Sequence, residues 1–273
     1  MKRILCLLLT GLLLTGCGIS VEQQSHHVTQ NTPIAPIITT PSTTEPTEDP
    51  IPANPYGPLD FGKEGDYLAC LAGDYMLGID CSYWQGNVNW QKVKNAGIEF
   101  VMLRIGQRGS EKGVLAEDKM VHKYYQGAKA AGLKIGGYIF SQAITPEEAV
   151  EEAEFALNIV KDWDVEMPIV FDWEYLDATA RTGNMDARTL TDCAIAFCET
   201  VEAAGYTPMI YFNIDHARNK MYLEELLDYK FWLALYDTPM TYQYKIDMWQ
   251  YTCTGSVPGI SGNVDINLYL QYD

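Results

Sequence analysis

Two carboxylates one residue apart, Asp172 and Glu174, are the residues of this chain best placed for acid–base chemistry. They follow the apolar run 167–171, whose composition is typical of a buried strand. Residues two apart on a strand point to the same face, so the two acids are expected side by side. Such a pair destabilises a fold because like charges repel, but glycoside hydrolysis usually needs one protonated carboxyl and one ionised partner. The pair therefore indicates an enzyme.

Strands and helices alternate along the part of the chain that must position these acids. This order predicts a parallel sheet with right-handed crossovers, and about eight strands favour a closed barrel over an open sheet. The last third is poor in helices, which predicts an irregular barrel. The predicted strands are 76–81, 100–105, 133–140, 168–172, 208–212, 231–235, 246–251 and 264–268, and the predicted helices are 90–95, 119–131, 146–160, 189–202 and 221–227.

Four acids lie at or near the ends of predicted strands: Asp80, Asp172, Glu174 and Asp265. Barrel active sites lie at the C-terminal ends of the strands, so these four form the expected catalytic group. Glu174 is the candidate general acid, with a pKa raised by its neighbours, and Asp172 is its partner. Asp80 and Asp265 come from the first and last strands, and three roles stay open for them: holding the sugar, setting the pKa of the acid, or acting as nucleophile or base.

Aromatic and cationic residues near the same strand ends are the expected substrate-binding residues. Tyr138, Tyr211 and Trp249 are candidates to line a sugar groove, although each is as well suited to a core. Trp232 is assigned to the core. Arg104 lies in a predicted strand, where a buried guanidinium needs an acidic partner, and a site carboxylate is one candidate for that partner.

The first 58 residues are expected to form a signal, an anchor and a spacer. Lys2 and Arg3 precede an apolar stretch of about a dozen residues, the order of a secretory signal and too short for a good membrane span. Small residues then precede Cys17, as in the lipidation site of bacterial lipoproteins. Residues 1–16 are therefore predicted to be a signal peptide, and Cys17 is predicted to carry a lipid that anchors the protein to the membrane. The alternative is an ordinary signal peptide that happens to contain a cysteine.

Residues 17–58 are predicted to be a disordered linker, and residues 59–273 a single barrel domain. The linker holds eight of the 13 prolines, so it is expected to be extended and semi-rigid. It would hold the domain outside the cytoplasm, anchored to the cell membrane and facing the cell envelope. Five cysteines follow the anchor and are expected to be mostly buried thiols, with any pairing among them left open: Cys70, Cys81, Cys193, Cys198 and Cys253.

Several motifs in order resemble glycoside hydrolase family 25, the Chalaropsis-type lysozymes or N-acetylmuramidases. The resemblance covers about residues 76–270 and departs from the family pattern at Ile139, where a histidine is common, and at Cys81, where an aliphatic residue is usual. The pieces that carry it are Gly78-Ile79-Asp80-Cys81-Ser82 with Gln85-Gly86 and Trp90, Phe100 to Gly106 with Arg104, Gly137-Tyr138-Ile139-Phe140, Asp172-Trp173-Glu174, Tyr211 with Asn213, Phe231-Trp232-Leu233-Ala234 with Tyr236, Trp249-Gln250-Tyr251, Gly262, and Val264-Asp265-Ile266-Asn267.

The resemblance implies an irregular TIM-like (β/α) barrel of about five βα units followed by three strands. It also implies hydrolysis of the β-1,4 bond between N-acetylmuramic acid and N-acetylglucosamine in peptidoglycan. It suggests that Asp172 orients the 2-acetamido group of the substrate, so that the sugar's own carbonyl attacks the anomeric carbon. Such substrate assistance is an exception to the two-carboxylate schemes, and the covalent and inverting routes stay open.

Peptidoglycan glycan strands are the expected partner, and the protein is expected to be a monomer without a cofactor or metal. The formal net charge of −17 makes nucleic acid an improbable partner and argues against electrostatic capture by anionic wall polymers. One alternative is a non-catalytic peptidoglycan-binding lipoprotein. Another is a different barrel polysaccharide hydrolase or a deacetylase, but zinc sites generally use histidines, and His122 and His216 lie away from the predicted strand ends.

Overall fold

The computed structural model describes residues 50–272. The predicted signal peptide, Cys17 and most of the predicted linker lie outside these residues. The described strands are β1 (Phe61–Glu64), β2 (Tyr67–Cys70), β3 (Tyr75–Cys81), β4 (Phe100–Arg108), β5 (Leu115–Glu117), β6 (Lys134–Ser141), β7 (Ile169–Trp173), β8 (Pro208–Asn213), β9 (Lys230–Ala234), β10 (Met248–Gly255) and β11 (Val264–Leu270). The α-helices are α1 (Trp90–Asn95), α2 (Val121–Ala130), α3 (Pro146–Val160), α4 (Ala187–Ala203) and α5 (Ile214–Asn219).

Eight of these strands close into a barrel, which confirms the predicted fold class. Their order around the barrel is β3, β4, β6, β7, β8, β9, β10 and β11, and β11 pairs with β3 to complete the circle. All neighbours are parallel except those of β11, which runs antiparallel to both β10 and β3. The strand β5 extends the sheet by pairing antiparallel with the end of β4.

Local signals place most of the helices where the sequence predicts them. Helix α3 begins after Thr145, whose hydroxyl accepts the N–H of Glu148 at 3.3 Å, and Pro146 occupies its first turn. Helix α4 starts two residues earlier than predicted, because Asp186 rather than Thr189 caps it, with a bond of 2.8 Å to the Thr189 N–H. The helix predicted at 221–227 is wrong: a short 3-10 turn covers Leu223–Glu225, and α5 lies before it.

The interior of the barrel is a packed apolar core. Side chains at the C-terminal ends of the parallel strands lie against one end of this core. A Cβ on Gly78 would lie 2.2 Å from the ring of Phe100, which explains the glycine at this close approach. The buried interior residues are Met76, Phe100, Met102, Met167, Val170, Met209, Tyr211, Trp232, Ala234 and Met248.

The N-terminal hairpin formed by β1 and β2 covers part of the barrel wall that lacks a helix. The ring of Phe61 packs edge-on against Trp249 on the outside of β10, with centroids 4.9 Å apart. The chain before the hairpin also docks on this domain, since the Asn54 N–H donates to Gln243 O and the Lys245 N–H to Pro52 O, each at 2.8 Å. The folded part therefore begins at least as early as Pro52, N-terminal of the expected boundary at 59.

Among the described residues, no helix is both long enough and apolar enough to cross a membrane. Four of the cysteines are buried thiols, as expected: Cys70, Cys81, Cys193 and Cys198.

Candidate active site

The four predicted acids meet at one end of the barrel. Asp80 lies in β3, Asp172 lies in β7, and Glu174 follows β7 directly. Asp265 lies near the start of β11, and because β11 runs opposite to the other strands, its start is at their C-terminal ends. Asp265 and Asp80 are direct register partners across the β11–β3 pair. The closing of the barrel thus joins the first and last strands and places two carboxylates face to face.

Burial raises the pKa of every member of this group, and the charges of neighbouring acids add to the rise for Asp172, Glu174 and Asp265. For Asp265, burial and then the charge of Asp80 raise the pKa to about 8. For Asp172, burial and then the charges of Glu174, Asp80 and Asp265 raise the pKa well above its usual range, although Arg104 opposes this. Burial and Asp80 also raise the pKa of Glu174. The cluster therefore holds protons near neutral pH, as an acid catalyst requires.

Asp80 is the acid most strongly supported in its ionised form. Its Oδ2 accepts hydrogen bonds from the side-chain amides of Gln250 at 2.8 Å and Asn267 at 2.9 Å. Burial raises its pKa to about 6, and these two donors limit the rise by stabilising the charge. Asp80 therefore loses its proton at a lower pH than Asp265, the carboxyl that faces it.

A ring of polar side chains, all of them buried except Tyr236, orients the amides that hold Asp80. The Oε1 of Gln250 accepts the hydroxyls of Tyr211 at 3.0 Å and Tyr236 at 2.5 Å, which leaves its amide nitrogen to face Asp80. The indole N–H of Trp232 donates to the Oδ1 of Asn267 at 2.9 Å and orients that amide in the same way. Each group has its donor or acceptor matched, so the ring fixes Asp80 in place.

Asp172 and Glu174 differ in their exposure. Asp172 is buried, and among the described residues its Oδ1 has no hydrogen-bond partner. Glu174 is half-buried, as expected for an acid that must reach a substrate. The residues that follow it, Tyr175 and Leu176, are exposed at the same rim. The arrangement offers one accessible acid with a raised pKa and one enclosed carboxyl with a free acceptor atom.

Two of the three predicted groove aromatics lie in the barrel interior beside these acids. Tyr211 is the register partner of Asp172 across β7 and β8. Tyr138 is half-buried, and Asp80 and Asp172 both raise the pKa of its phenol, after the larger effect of burial. The rings of Tyr138 and Tyr211 pack edge-on against Trp232, with centroids 6.2 Å and 5.1 Å away. Trp232 is buried and lies beneath them, in agreement with its assignment to the core.

Trp249 does not lie with the other candidates. Side chains alternate along β10, and because Gln250 faces the barrel interior, Trp249 faces outward. There it is 1% exposed, packs against Phe61 and donates its indole N–H to Leu235 O at 2.8 Å. The structure therefore places Trp249 in the core outside the barrel, away from the sugar groove expected for it.

Arg104 pairs with an acid outside the predicted group. Its Nη2 lies 2.8 Å from the Oδ2 of Asp118, and its Nε also donates to that atom, at 3.0 Å. Asp118 is buried and also accepts the N–H of Tyr83. The guanidinium remains close enough to lower the pKa of Asp172, so Arg104 contributes positive charge to the site without a direct bond to its acids.

Gln250, Asn267 and Tyr236 belong to motifs of the sequence, but no role in the site was predicted for them. The strand period was the available signal, since Asn267 lies two residues after Asp265 and shares its face. No role was predicted for Trp84 either. This residue follows Asp80 in the chain, is 70% exposed and has its ring centroid 4.5 Å from that of Tyr83. Among residues 50–272, no group of three or more His, Cys, Asp or Glu residues is arranged to hold a metal ion.

Comparisons with known proteins point to one family. The model described as "Glycosyl hydrolases family 25" matches residues 79–260, more than half of the chain. The autolytic lysozyme of Clostridium acetobutylicum is 29% identical over 201 residues, which cover 72% of this chain and 56% of that protein. Lysozyme M1 of Streptomyces globisporus is 26% identical over 202 residues, covering 70% of this chain and 67% of that protein. The chain thus spans little more than half the length of the first of these relatives.

Solved structures share the fold. A bacterial lysozyme from Streptomyces coelicolor superposes with a TM-score of 0.61 at 25% identity, covering 72% of this chain and 92% of that one. The modular autolysin LytC of Streptococcus pneumoniae, in complex with a synthetic peptidoglycan ligand, superposes with a TM-score of 0.62 at 23% identity. That match covers 71% of this chain and 46% of LytC, and at this identity it shows the fold alone.

Proposed function

Because this chain belongs to glycosyl hydrolases family 25, we propose that it is a lysozyme-type muramidase. Its substrate is peptidoglycan, and the bond it cleaves is the β-1,4 link between N-acetylmuramic acid and N-acetylglucosamine. The observation that carries the proposal is the group of four acids at the open end of a family 25 barrel, with Glu174 half-buried and its pKa raised. The lysozymes among its relatives support the same substrate class.

Glu174 acts as the general acid. Of Asp172 and Glu174 it is the more exposed, and its raised pKa favours the protonated form that a general acid needs. It donates that proton to the glycosidic oxygen as the bond to the anomeric carbon breaks, and the electron pair of that bond leaves with the oxygen.

Asp172 assists the substrate's own nucleophile. Its Oδ1, without a partner among the described residues, accepts the N–H of the 2-acetamido group and turns the acetamido carbonyl oxygen toward the anomeric carbon. As the glycosidic bond breaks, the carbonyl oxygen forms a bond to that carbon and the amide proton passes to the Asp172 carboxylate. Water then attacks the same carbon and breaks its bond to the acetamido oxygen. The water gives a proton to the ionised Glu174, and Asp172 returns its proton to the amide nitrogen.

Asp80 and Asp265 complete the electrostatics of the site. Asp80, held ionised by Gln250 and Asn267, stabilises the positive charge that develops on the sugar ring. Asp265 has a pKa of about 8, so it is mostly protonated at pH 7 and is able to donate a hydrogen bond to a sugar hydroxyl. Tyr138, Tyr211 and Arg104 line the site around the sugar.

The protein acts as a monomer at the outer surface of the membrane. The basic residues, apolar stretch and small-residue box that precede Cys17 support a lipid anchor, and the proline-rich segment after it supports a spacer that reaches the wall.

Product analysis on purified peptidoglycan tests the proposal. Wild type should release fragments whose new reducing end is N-acetylmuramic acid, as read by mass spectrometry after borohydride reduction. Glu174→Gln should lower the cleavage rate by about 10²–10⁴-fold with unchanged thermal unfolding, since the side chain is partly exposed. Glu154→Gln, at an exposed site on α3, is the matched control and should retain full activity.

Three results would contradict this assignment. New reducing ends on N-acetylglucosamine would place the cleavage at the other bond. Loss of acetyl groups without chain cleavage would indicate a deacetylase. Tight binding of wall fragments by wild type without any cleavage would identify a non-catalytic binding protein.

A further inference from the structure

A fully buried glutamine, Gln142, lies under the segment that carries the general acid. It follows β6 directly and is 0% exposed. Its Nε2 donates to the backbone carbonyl of Glu174 at 3.1 Å and to that of Ser141 at 2.8 Å. Its Oε1 accepts the hydroxyl of Thr182, itself 1% exposed, at 2.8 Å. One amide thus contacts both ends of the segment 174–182.

We propose that Gln142 is a positioning residue, which clamps the segment 174–182 and so fixes Glu174 against the sugar. The inference rests on the proposed function, because it assigns Gln142 a task in the same reaction. Gln142 does not touch the reacting atoms. It acts through the backbone of the acid, at a point where a small displacement changes the distance between the carboxyl and the glycosidic oxygen.

The base of this clamp is rigid. The backbone N–H of Gln142 donates to the Oε1 of Glu152 at 3.3 Å, and Glu152 is 0% exposed. The same Oε1 accepts the Nε of Arg108 at 2.8 Å, and a second nitrogen of Arg108 donates to Glu148 O at 2.7 Å. A buried ion pair between β4 and α3 therefore holds the backbone from which the Gln142 side chain extends.

The far end of the clamped segment is held on both sides of Thr182. The Arg181 N–H donates to Ser110 O at 2.9 Å, and its guanidinium donates to the Oε1 of Glu148 at 2.6 Å. On the other side, the Met185 N–H donates to Thr182 O at 3.1 Å. The exposed Tyr175 and Leu176 lie between the two ends, so a clamp is needed to keep this rim of the groove in one position.

Only a side chain with both a donor and an acceptor is able to bind the Glu174 carbonyl and the Thr182 hydroxyl from position 142. Gln142→Met keeps the length and removes both functions, which leaves the Glu174 carbonyl and the Thr182 hydroxyl without this partner. Thr182→Val removes the contact at the far end alone and keeps the bond to Glu174. Thr200→Val removes a similar hydroxyl bond, to Ala196 O at 2.7 Å on α4, and serves as the control.

The experiment compares these full-length variants with wild type and Glu174→Gln in three measurements: kcat and KM across pH, hydrogen exchange of residues 174–186, and thermal unfolding. Gln142→Met should lower kcat by about tenfold or more with a smaller change in KM. Thr182→Val should act in the same direction with a smaller effect. Both should speed exchange in 174–186, while Thr200→Val should change neither exchange there nor kcat.

The pH profile separates positioning from a merely structural role. The carboxyls of Asp80, Asp172 and Asp265 and the phenols of Tyr211 and Tyr236 lie around Glu174, and a loosened segment admits water among them. The alkaline limb of kcat should then shift to lower pH in Gln142→Met, because hydration favours the ionised acid. A variant that only unfolds more easily loses active enzyme without moving this limb.

Each outcome decides the matter. If Gln142→Met and Thr182→Val keep the wild-type kcat and pH limb while Glu174→Gln is inactive, the clamp is wrong and the proposed function stands. If Gln142→Met does not fold, Thr182→Val with the wild-type kcat and exchange overturns the clamp. If wild type cleaves nothing, the proposed function fails independently of the clamp, and wild-type exchange of residues 174–186 in Gln142→Met and Thr182→Val would then overturn the clamp itself.

Discussion

At the scale of single residues, the candidate site combines neighbouring carboxyls of unequal proton affinity. Asp80 and Asp265 are register partners, yet the pKa of Asp80 is about 6 and that of Asp265 about 8. The difference follows from their hydrogen bonds, since the amides of Gln250 and Asn267 both donate to Asp80. One fold thus keeps a charged and a neutral carboxyl side by side near pH 7.

Asp172→Asn tests the role of the enclosed acid. The amide keeps the size of the side chain but removes the basic oxygen that takes up the acetamido proton, so kcat should fall by about 10²-fold while binding of a non-cleaved fragment changes less. Steady-state kinetics and calorimetric binding in the Glu174→Gln background measure the two effects. Asp162→Asn, at an exposed position, is the control. Full activity in Asp172→Asn would reject the acetamido role.

Asp265→Asn tests the cost of the cluster for stability. The pKa of Asp265 rises to about 8 in the folded protein from about 3.9 in an unfolded chain, so the native state holds the proton longer. The stability that this proton affinity contributes is complete below about pH 4 and is lost as the pH rises to about 8. Asparagine does not ionise, so the free energy of unfolding of the variant should rise relative to that of wild type as the pH increases over this range.

Urea unfolding at about pH 5 and about pH 8.5 measures that gain. We expect the variant to be the more stable protein at the higher pH, with a free energy of unfolding raised by about 1 kcal/mol. A stability difference that is the same at both values would show that Asp265 does not hold its proton as inferred.

At the scale of elements, the hairpin of β1 and β2 covers a part of the barrel wall on which no described helix packs. The outer face of β10 carries Trp249, and the hairpin covers it with Phe61. The hairpin precedes the family-matched region, 79–260, so it is an addition to the part of the chain that the family model describes. The helix-poor last third of the barrel thus gains its cover from the N-terminal side of the chain.

Phe61→Ala should destabilise the domain by about 1–3 kcal/mol, because a half-buried ring leaves its contact with Trp249. Denaturant unfolding followed by tryptophan fluorescence measures this change. Leu59→Ala is the matched control: its side chain is 93% exposed, and the change should be within about 0.5 kcal/mol. Equal stability of the two variants would mean that the hairpin does not support the barrel wall.

At the scale of the whole molecule, the net charge of −17 opposes the approach to a wall that carries anionic polymers. Raising the salt shortens the Debye length from about 30 Å at 0.01 M to about 8 Å at 0.15 M and screens this repulsion. The kcat/KM on intact walls should therefore rise over that range. Soluble uncharged muropeptide analogues are the control and should show little change, and a fall in kcat/KM on walls would instead indicate electrostatic capture.

Much of the architecture could be read from the chain because the signals for it are local. Capping residues, strand period and the order of segments predicted the strands of the barrel and most of its helices. The two-residue period of a strand was enough to predict that Asp172 and Glu174 lie on the same face. The elements that were missed, β1, β2, β5 and α5, are short and gain their stability from partners distant in the sequence.

By itself, then, the sequence determined the fold class, the family and the four acids, because spacing along a strand and order along the chain are properties of neighbouring residues. The tertiary structure decided which side chains share an environment. It set Asp265 opposite Asp80, paired Arg104 with Asp118, and turned Trp249 outward. Each of these depends on register between strands far apart in the chain, where a shift of one residue reverses every side chain.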